Sequence, residues 1–274
     1  MINTETLAQH AANIRGRIIG LSHKGRIPHL ASALSSVDIL VAAYWGGSLQ
    51  ITKENIRKNS RDRCILSKGH AATALYATLA EKGILDEKVY WETGEYQAAL
   101  AEQPAPDCAP GVEWATGSLG HGLAAGIGMA LASRIQKNPF RILVLVGDGE
   151  CNEGSTWEAV MFAPAHKLTN LIVVVDSNKW QATGRTADIL DLHSLRDKFE
   201  AFGWNAVELN GHDIPALVDA MKGFNREDGR PTAIIANTTK GKGVSFMEDD
   251  NNWHYRTPTD EEVELAKKEL GLAS

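Results

Sequence analysis

Cysteine is scarce: Cys64, Cys108 and Cys151 are the only three in 274 residues, and no two of them form a C-x-x-C pair. An odd, scattered set argues against both a disulfide framework and a cysteine zinc site, and leaves ordinary thiols. Long apolar runs are missing as well. No stretch approaches the roughly 20 residues needed to cross a bilayer, and Met1 to Gly20 lacks the basic-then-apolar order of a secretory signal. The expectation is a cytoplasmic protein with no membrane partner. Lys and Arg form no stripe but are interspersed with Asp and Glu at a net charge of −6, so there is no electrostatic footprint for nucleic acid. Internal repeats and low-complexity linkers are absent too.

What is present is a globular chain, 43% apolar and long enough for a large two-faced core, which rules out disorder. Short β-branched or apolar runs at Cys64–Leu66, Ile142–Val146, Leu171–Val175, Ala206–Leu209 and Ala233–Ala236 read as strands. Between them, apolar positions recur at three- and four-residue spacing over Ala71–Lys82, His121–Gln136, Thr156–His166, Ser194–Phe202 and Pro215–Phe224, the mark of helices. The alternation predicts an α/β fold with a mostly parallel central sheet and helices on both faces. Ile142–Val146 and Leu171–Val175 are apolar without alternation, so they should be neighbouring central strands. Leu7 to Tyr44 is helical in pattern, broken at His23 to Pro28, and gives an N-terminal helical extension to about residue 60 of a single domain. Thr259-Asp-Glu-Glu opens a last helix with acids where the dipole favours them. The loop from Thr238 to Trp253 is long enough to suggest function.

The chemistry-bearing signal is Gly147-Asp148-Gly149-Glu150 directly after one buried strand and Asp176-Ser177-Asn178 directly after the next. Open α/β sheets bind ligands at carboxyl ends of strands, and glycines there let backbone approach closely. One carboxylate and one amide oxygen suit a hard cation bridging phosphate oxygens, since Mg2+ takes few protein ligands and fills its shell with phosphate and water. Gly-Asp-Gly alone also marks an ordinary tight turn; it is the pairing with Asn178 that resembles a thiamine-diphosphate fingerprint.

Further motifs narrow the family. Pro28-His29-Leu-Ala-Ser-Ala-Leu-Ser35, Ser67-Lys-Gly-His70-Ala-Ala, Thr116-Gly-Ser-Leu-Gly-His-Gly122 and Gly147-Asp-Gly-Glu-Cys-Asn-Glu153-Gly resemble, in order and over essentially the whole chain, the motifs of transketolases. The α subunits of 2-oxoacid dehydrogenases are not expected to share the His29 and His70 motifs. The resemblance implies thiamine diphosphate and Mg2+ (or Ca2+ or Mn2+ in its place) as cofactors. It implies Asp148, Asn178 and the main-chain oxygen of Trp180 as metal ligands, with His70, Gly149 and His254 near the diphosphate and Gly117 and Leu119 against the cofactor. His29 and His254 are then expected at the reacting carbons, and Glu153 at a dimer interface that couples cofactor sites. Each has a plainer alternative: a loop or core histidine, a helix-starting acid at Glu153, and close helix packing for the glycines. His70 and His254 are also suited to donate charge-assisted hydrogen bonds to an anion in a partly dry cleft.

Two positions depart from the family: Gln103 stands where a substrate-contacting histidine is usual, and His121 where glutamine is usual. Glutamine cannot titrate near neutrality, so Gln103 is expected to bear on which sugar is held. The resemblance also implies that the pyrimidine-binding domain, with the glutamate that activates the cofactor, comes from a partner chain in an α2β2 heterotetramer. The expected reaction is reversible transfer of a two-carbon ketol unit from a ketose, expected to be phosphorylated, to an aldose. The alternatives are the N-terminal part of a deoxyxylulose-phosphate-synthase-like enzyme and a non-catalytic cofactor-binding subunit.

Overall fold

The computed structural model describes residues 3–273; Met1, Ile2 and Ser274, at the limits of the expected domain, lie outside them. Five strands, β1 (Arg63–Leu66), β2 (Ile142–Gly147), β3 (Leu171–Ser177), β4 (Asn205–Asn210) and β5 (Thr232–Asn237), form one all-parallel sheet in the order β1-β2-β3-β5-β4. The helices are α1 (Thr4–Gly25), α2 (Leu30–Ser35), α3 (Val37–Trp45), α4 (Ala72–Glu81), α5 (Glu87–Trp91), α6 (Gly122–Ile135), α7 (Gly154–Ala165), α8 (Thr186–Leu190), α9 (Leu195–Ala201), α10 (Ile214–Ala220) and α11 (Asp260–Glu269).

Every expected strand forms, and β2 and β3 are paired at the centre with Ile142 opposite Leu171 and Gly147 opposite Asp176. The absence of alternation in their sequences has a direct cause. Leu143, Leu145, Ile172 and Val174 enter the core under α1, α3, α4 and α10, while Ile142, Val144, Val173 and Val175 enter the core under α6, α7 and α9. Successive side chains point to opposite faces, so a strand covered on both sides is apolar at every position. The edge strand β4 is only partly covered and keeps polar residues on one side.

The N-terminal helices share the first of these cores rather than standing apart: Ile14, Ile18, Leu34, Val37 and Leu40 pack with Leu143 and Ile234. α11 begins with a capping box, Thr259 accepting from the Glu262 amide while Glu262 accepts from the Thr259 amide. The expected Pro215–Phe224 helix is shorter. It starts at Ile214 with Pro215 in its first turn and loosens after Ala220 into a 3-10 turn at Met221–Gly223. The short α5 and α8 were not legible, because five residues carry too little periodicity. Cys64 and Cys151 are buried and Cys108 partly so, all three as free thiols. Among the described residues, no helix is long and apolar enough to cross a membrane.

Leu145 is fully buried in the central pair. Leu145→Ala should cost about 2–5 kcal/mol through lost contacts and the cavity left behind, read as a lower urea midpoint at unchanged slope.

Candidate functional site

The carboxyl ends of β1, β2 and β3 lie side by side, and each delivers a polar group to one cavity of about 270 Å3: Lys68 after β1, Asp148 after β2, Asn178 after β3. His29, His70, Gln103, Gly117, Leu119, Gly149, Trp180 and His254 complete the wall, together with Ser32, Gly147, Glu150, Gln181 and Ala182. Of the site residues expected from the sequence, only Glu153 lies outside it. Glu153 is exposed at the N-cap of α7, its side chain beside Gly120. Larger clefts, of about 530 to 720 Å3, lie elsewhere; one of about 690 Å3 faces the N-terminal ends of β2 and β3 and has the ion pair between Arg141 and Asp62 in its wall. Convergent polar groups at the strand ends, rather than size, single out the smaller cavity.

The buried anchor of this site is an ion pair. Asp176, the penultimate residue of β3, is fully buried and accepts from Lys68 Nζ at 2.5 Å, Ser35 Oγ at 2.7 Å, Ser36 Oγ at 3.0 Å and the Thr238 hydroxyl. Burial by itself would raise its pKa, yet Lys68 and these donors hold the carboxyl below its ordinary value. Lys68 also donates to the Ser32 carbonyl at 3.0 Å, so α2, β1 and β3 are locked together. Glu150 does the same for another set of loops: it accepts from the Gly120 amide at 2.9 Å, the Gly147 amide at 3.2 Å and the Ser67 hydroxyl, and burial pushes its carboxyl up.

Asp148 and Asn178 meet within this frame. Asp148 Oδ1 accepts from the Gly149 amide and Oδ2 from the Lys179 amide and the Thr186 hydroxyl, each at 2.9 Å. Asn178 Oδ1 accepts from the Trp180 amide at 3.0 Å and its Nδ2 donates to Ser35 Oγ at 3.3 Å. Burial raises the Asp148 carboxyl to about 6, against the pull of Thr186. A buried carboxylate so placed gains from a cation beside it. No cluster of three or more His, Cys, Asp or Glu side chains able to hold a metal exists among the described residues. A cation here must use carboxylate, amide and main-chain oxygens, the donor set of a hard ion.

Three imidazoles face one another across the cavity, with His29 4.7 Å from His254 and 5.5 Å from His70 between ring centroids. His29 sits in the left-handed backbone region at φ 65°, a conformation that costs a non-glycine residue about 1 kcal/mol or more, and its amide donates to the His254 carbonyl at 2.7 Å. Strain of this kind is retained where the surroundings over-determine it, and here it turns the ring toward the cavity wall. His29 Nδ1 and Gln181 Nε2 are buried with no hydrogen-bond partner among the described residues, so polar ligand atoms have two groups to engage.

Burial sets the charge state of these histidine donors, and any charge assistance in their bonds to an anion comes from the anion. Burial, reinforced by Lys68, lowers His70 well below the ordinary value, and burial with Lys240 lowers His254 to about 3. Both rings are neutral at physiological pH. Lys240 Nζ donates to His254 Nδ1 at 3.1 Å, which leaves the proton on Nε2. The positive charge belongs to the lysines, one in the wall and one behind His254. Lys68, Asp176, Glu150 and Lys240 were given no role from the sequence, although Asp176 and Glu150 stand in its two strand-end motifs. Lys68 lies inside the quoted Ser67–His70 motif and Lys240 inside the long loop suspected of function, but only the fold shows what they touch.

A parallel α/β sheet with a carboxylate, an amide, lysines and neutral imidazole donors around one strand-end cavity has the chemistry that a diphosphate-bearing cofactor calls for. The chain matches the family "Transketolase, thiamine diphosphate binding domain" over residues 10–274. It is 37% identical to one of the subunits that make up the apulose-4-phosphate transketolase of Phocaeicola vulgatus, over 98% of this chain and 95% of that protein. With the protein of the same name from Actinobacillus succinogenes it shares 40%, over 98% and 97%. The transketolase of Campylobacter jejuni superposes with a TM-score of 0.90 at 28% identity over 98% of this chain, and that of Leishmania mexicana with 0.89 at 25% over 97%. The chain spans 43% and 41% of those two solved chains, less than half of each. It belongs to the transketolase family of transferases and is its thiamine-diphosphate-binding part.

Removing Lys68 while leaving Asp176 strands a charge in the interior. Lys68→Met should destabilise the chain by about 3–5 kcal/mol in urea unfolding, and Asp176→Asn added to it should recover part of the loss.

Proposed function

We propose that this chain is the diphosphate- and metal-binding subunit of a two-chain transketolase. The observation that carries the reading is the meeting of Asp148 and Asn178 at adjacent strand ends, in one cavity with His29, His70 and His254. Relatives of the same length are named as single subunits of a transketolase, which supports a second chain that brings the pyrimidine-binding domain and the glutamate that activates the cofactor. An α2β2 heterotetramer is the proposed assembly, formed through this chain as a single domain, with Glu153 on its interface.

Asp148, Asn178 and the main-chain oxygen of Trp180 would hold Mg2+, and His70, Gly149 and His254 the diphosphate, with Gly117 and Leu119 packed against the cofactor. Bound there, thiamine diphosphate would supply a nucleophilic carbon and a cationic ring able to take up the electron pair released when a ketose carbon–carbon bond breaks. The protein's share is to bind, orient and move protons. His254, neutral with its proton on Nε2, donates one hydrogen bond without bringing a charge. His29 has one ring nitrogen free of protein partners and the other 3.7 Å from Glu102, so it can exchange a proton with a sugar hydroxyl. Gln103, beside Gly117 in the wall, can hold a sugar hydroxyl but cannot titrate. The reaction is reversible transfer of a two-carbon ketol unit from a ketose to an aldose. Two relatives are named for sugars carrying a phosphate or a sulfo group, which favours a substrate ending in an anion.

Trp180 in the wall reports cofactor uptake by fluorescence. With the partner subunit present, Asp148→Ala should abolish Mg2+-dependent quenching by thiamine diphosphate and the ketol transfer with it; undiminished uptake would overturn the assignment. Activity on pyruvate in place of a ketose donor would overturn the reaction.

Burial depresses Lys240 to about 8, so its charge is present below that pH and lost above it. Affinity for thiamine diphosphate should therefore decline between about pH 8 and 9.5, and Lys240→Met should flatten that decline while weakening binding at pH 7.

A further inference from the structure

Behind the cavity, away from every residue assigned above, lies a buried polar network. Asp38 of α3 is paired in bidentate fashion with Arg15 of α1, at 2.6 and 3.1 Å, and its Oδ2 lies 2.7 Å from His212 Nδ1, in the turn between β4 and α10. All three side chains are shielded: Asp38 is 5% and Arg15 7% exposed, and the His212 side chain 13%. Buried ionic networks are costly unless every group is satisfied, and a chain meant only to be stable does as well with apolar residues. Its remaining bonds go to one segment. The Thr239 amide donates to His212 Nε2 at 2.8 Å, Arg15 Nε donates to the Lys242 carbonyl at 2.9 Å, and the Gly241 amide donates to the Ala31 carbonyl at 2.9 Å. Between these clamps sits Lys240, fully buried, with Nζ 2.5 Å from Asn251 Oδ1 and 3.1 Å from His254 Nδ1.

The tautomer of His212 follows from its partners. A carboxylate held charged by Arg15 only accepts, so Nδ1 carries the proton; a main-chain amide only donates, so Nε2 is bare. An imidazole in this state joins an acidic anchor to a backbone donor, as outer-shell groups do for the ligands they orient. Gly243 lets the clamp close: at φ 98°, a Cβ there would stand 2.7 Å from Arg15 Cδ.

We propose that His212 is a positioning residue for the cofactor site, with Asp38 setting its tautomer: the bare Nε2, by accepting from Thr239, fixes the Thr239–Lys242 segment so that Lys240 can hold the His254 ring with its N–H directed at the diphosphate. This rests on the reading of the cavity as a cofactor site, although the clamp itself is independent of that reading. Neither residue touches the cavity, and both act through Lys240.

Isosteres separate the two bonds of His212. Asparagine places an amide nitrogen where Nδ1 stands and keeps the bond to Asp38, but offers nothing to Thr239. Glutamine reaches the position of Nε2 and keeps an acceptor for Thr239 while giving up Asp38. In amide hydrogen exchange of the full chain without cofactor, the segment 238–254 should exchange at least about 10-fold faster in His212→Asn and within about 3-fold of wild type in His212→Gln. Titrated with thiamine diphosphate and Mg2+ in the presence of the partner subunit, His212→Asn should bind about 10- to 100-fold more weakly, with His212→Gln close to wild type. Equal protection and affinity in His212→Asn and wild type would overturn the proposal. Equal losses in both variants would overturn it as well, since a merely structural histidine is indifferent to which of its bonds survives. A wild-type chain that takes up no thiamine diphosphate would instead sink the reading of the cavity, and the exchange comparison would still decide the clamp.

Discussion

The buried bond between Lys68 and Asp176 is the constraint from which the rest of the site follows. It lies at the end of the central strand, where the sheet stops supplying main-chain partners and three loops must leave without gaps. Asp176 gathers donors from α2, from the loop after β1 and from the loop after β5, so four segments meet on one carboxylate. Breaking that convergence frees Ser35, and with it one of the two bonds that orient the Asn178 amide. The corner formed by Asp148 and Asn178 is thus held by a charge pair whose lysine lies in the cavity wall and whose carboxylate is fully buried behind it.

A second constraint is electrostatic. A pocket for a polyanion needs positive charge, yet its walls are too dry for three adjacent imidazolium rings to coexist. The chain resolves this by keeping the charge on two lysines, one tied to Asp176 and the other set behind His254, and leaving the histidines neutral. Neutral rings can donate at one nitrogen and accept at the other, which suits proton exchange with hydroxyl groups better than a fixed cation would. The same arrangement ties the geometry of the cavity to the Lys240 loop, although the loop contributes only His254 directly to the wall.

Much of this was legible in the sequence. Uninterrupted apolar runs at 142–146 and 171–175 mark strands covered on both faces, and Gly-Asp-Gly and Asp-Ser-Asn at their ends set a carboxylate and an amide side by side. Motif order pointed to His29 and His70, the family resemblance pointed to His254, and all three line one cavity. Short elements escaped, since α5 and α8 are too brief for a periodic signal, and α10 gave way to a 3-10 turn at Met221 that composition does not announce.

The sequence by itself determined the class of fold, the pairing of β2 with β3 and the residue types at the strand ends, because periodicity and turn chemistry are local properties. Tertiary structure alone decided the protonation of the histidines, the left-handed backbone at His29, and the joining of Lys68 to Asp176 and of Asp38 to His212. Those depend on burial and on distances between residues far apart in the chain, and Coulomb energy and desolvation are functions of position in space.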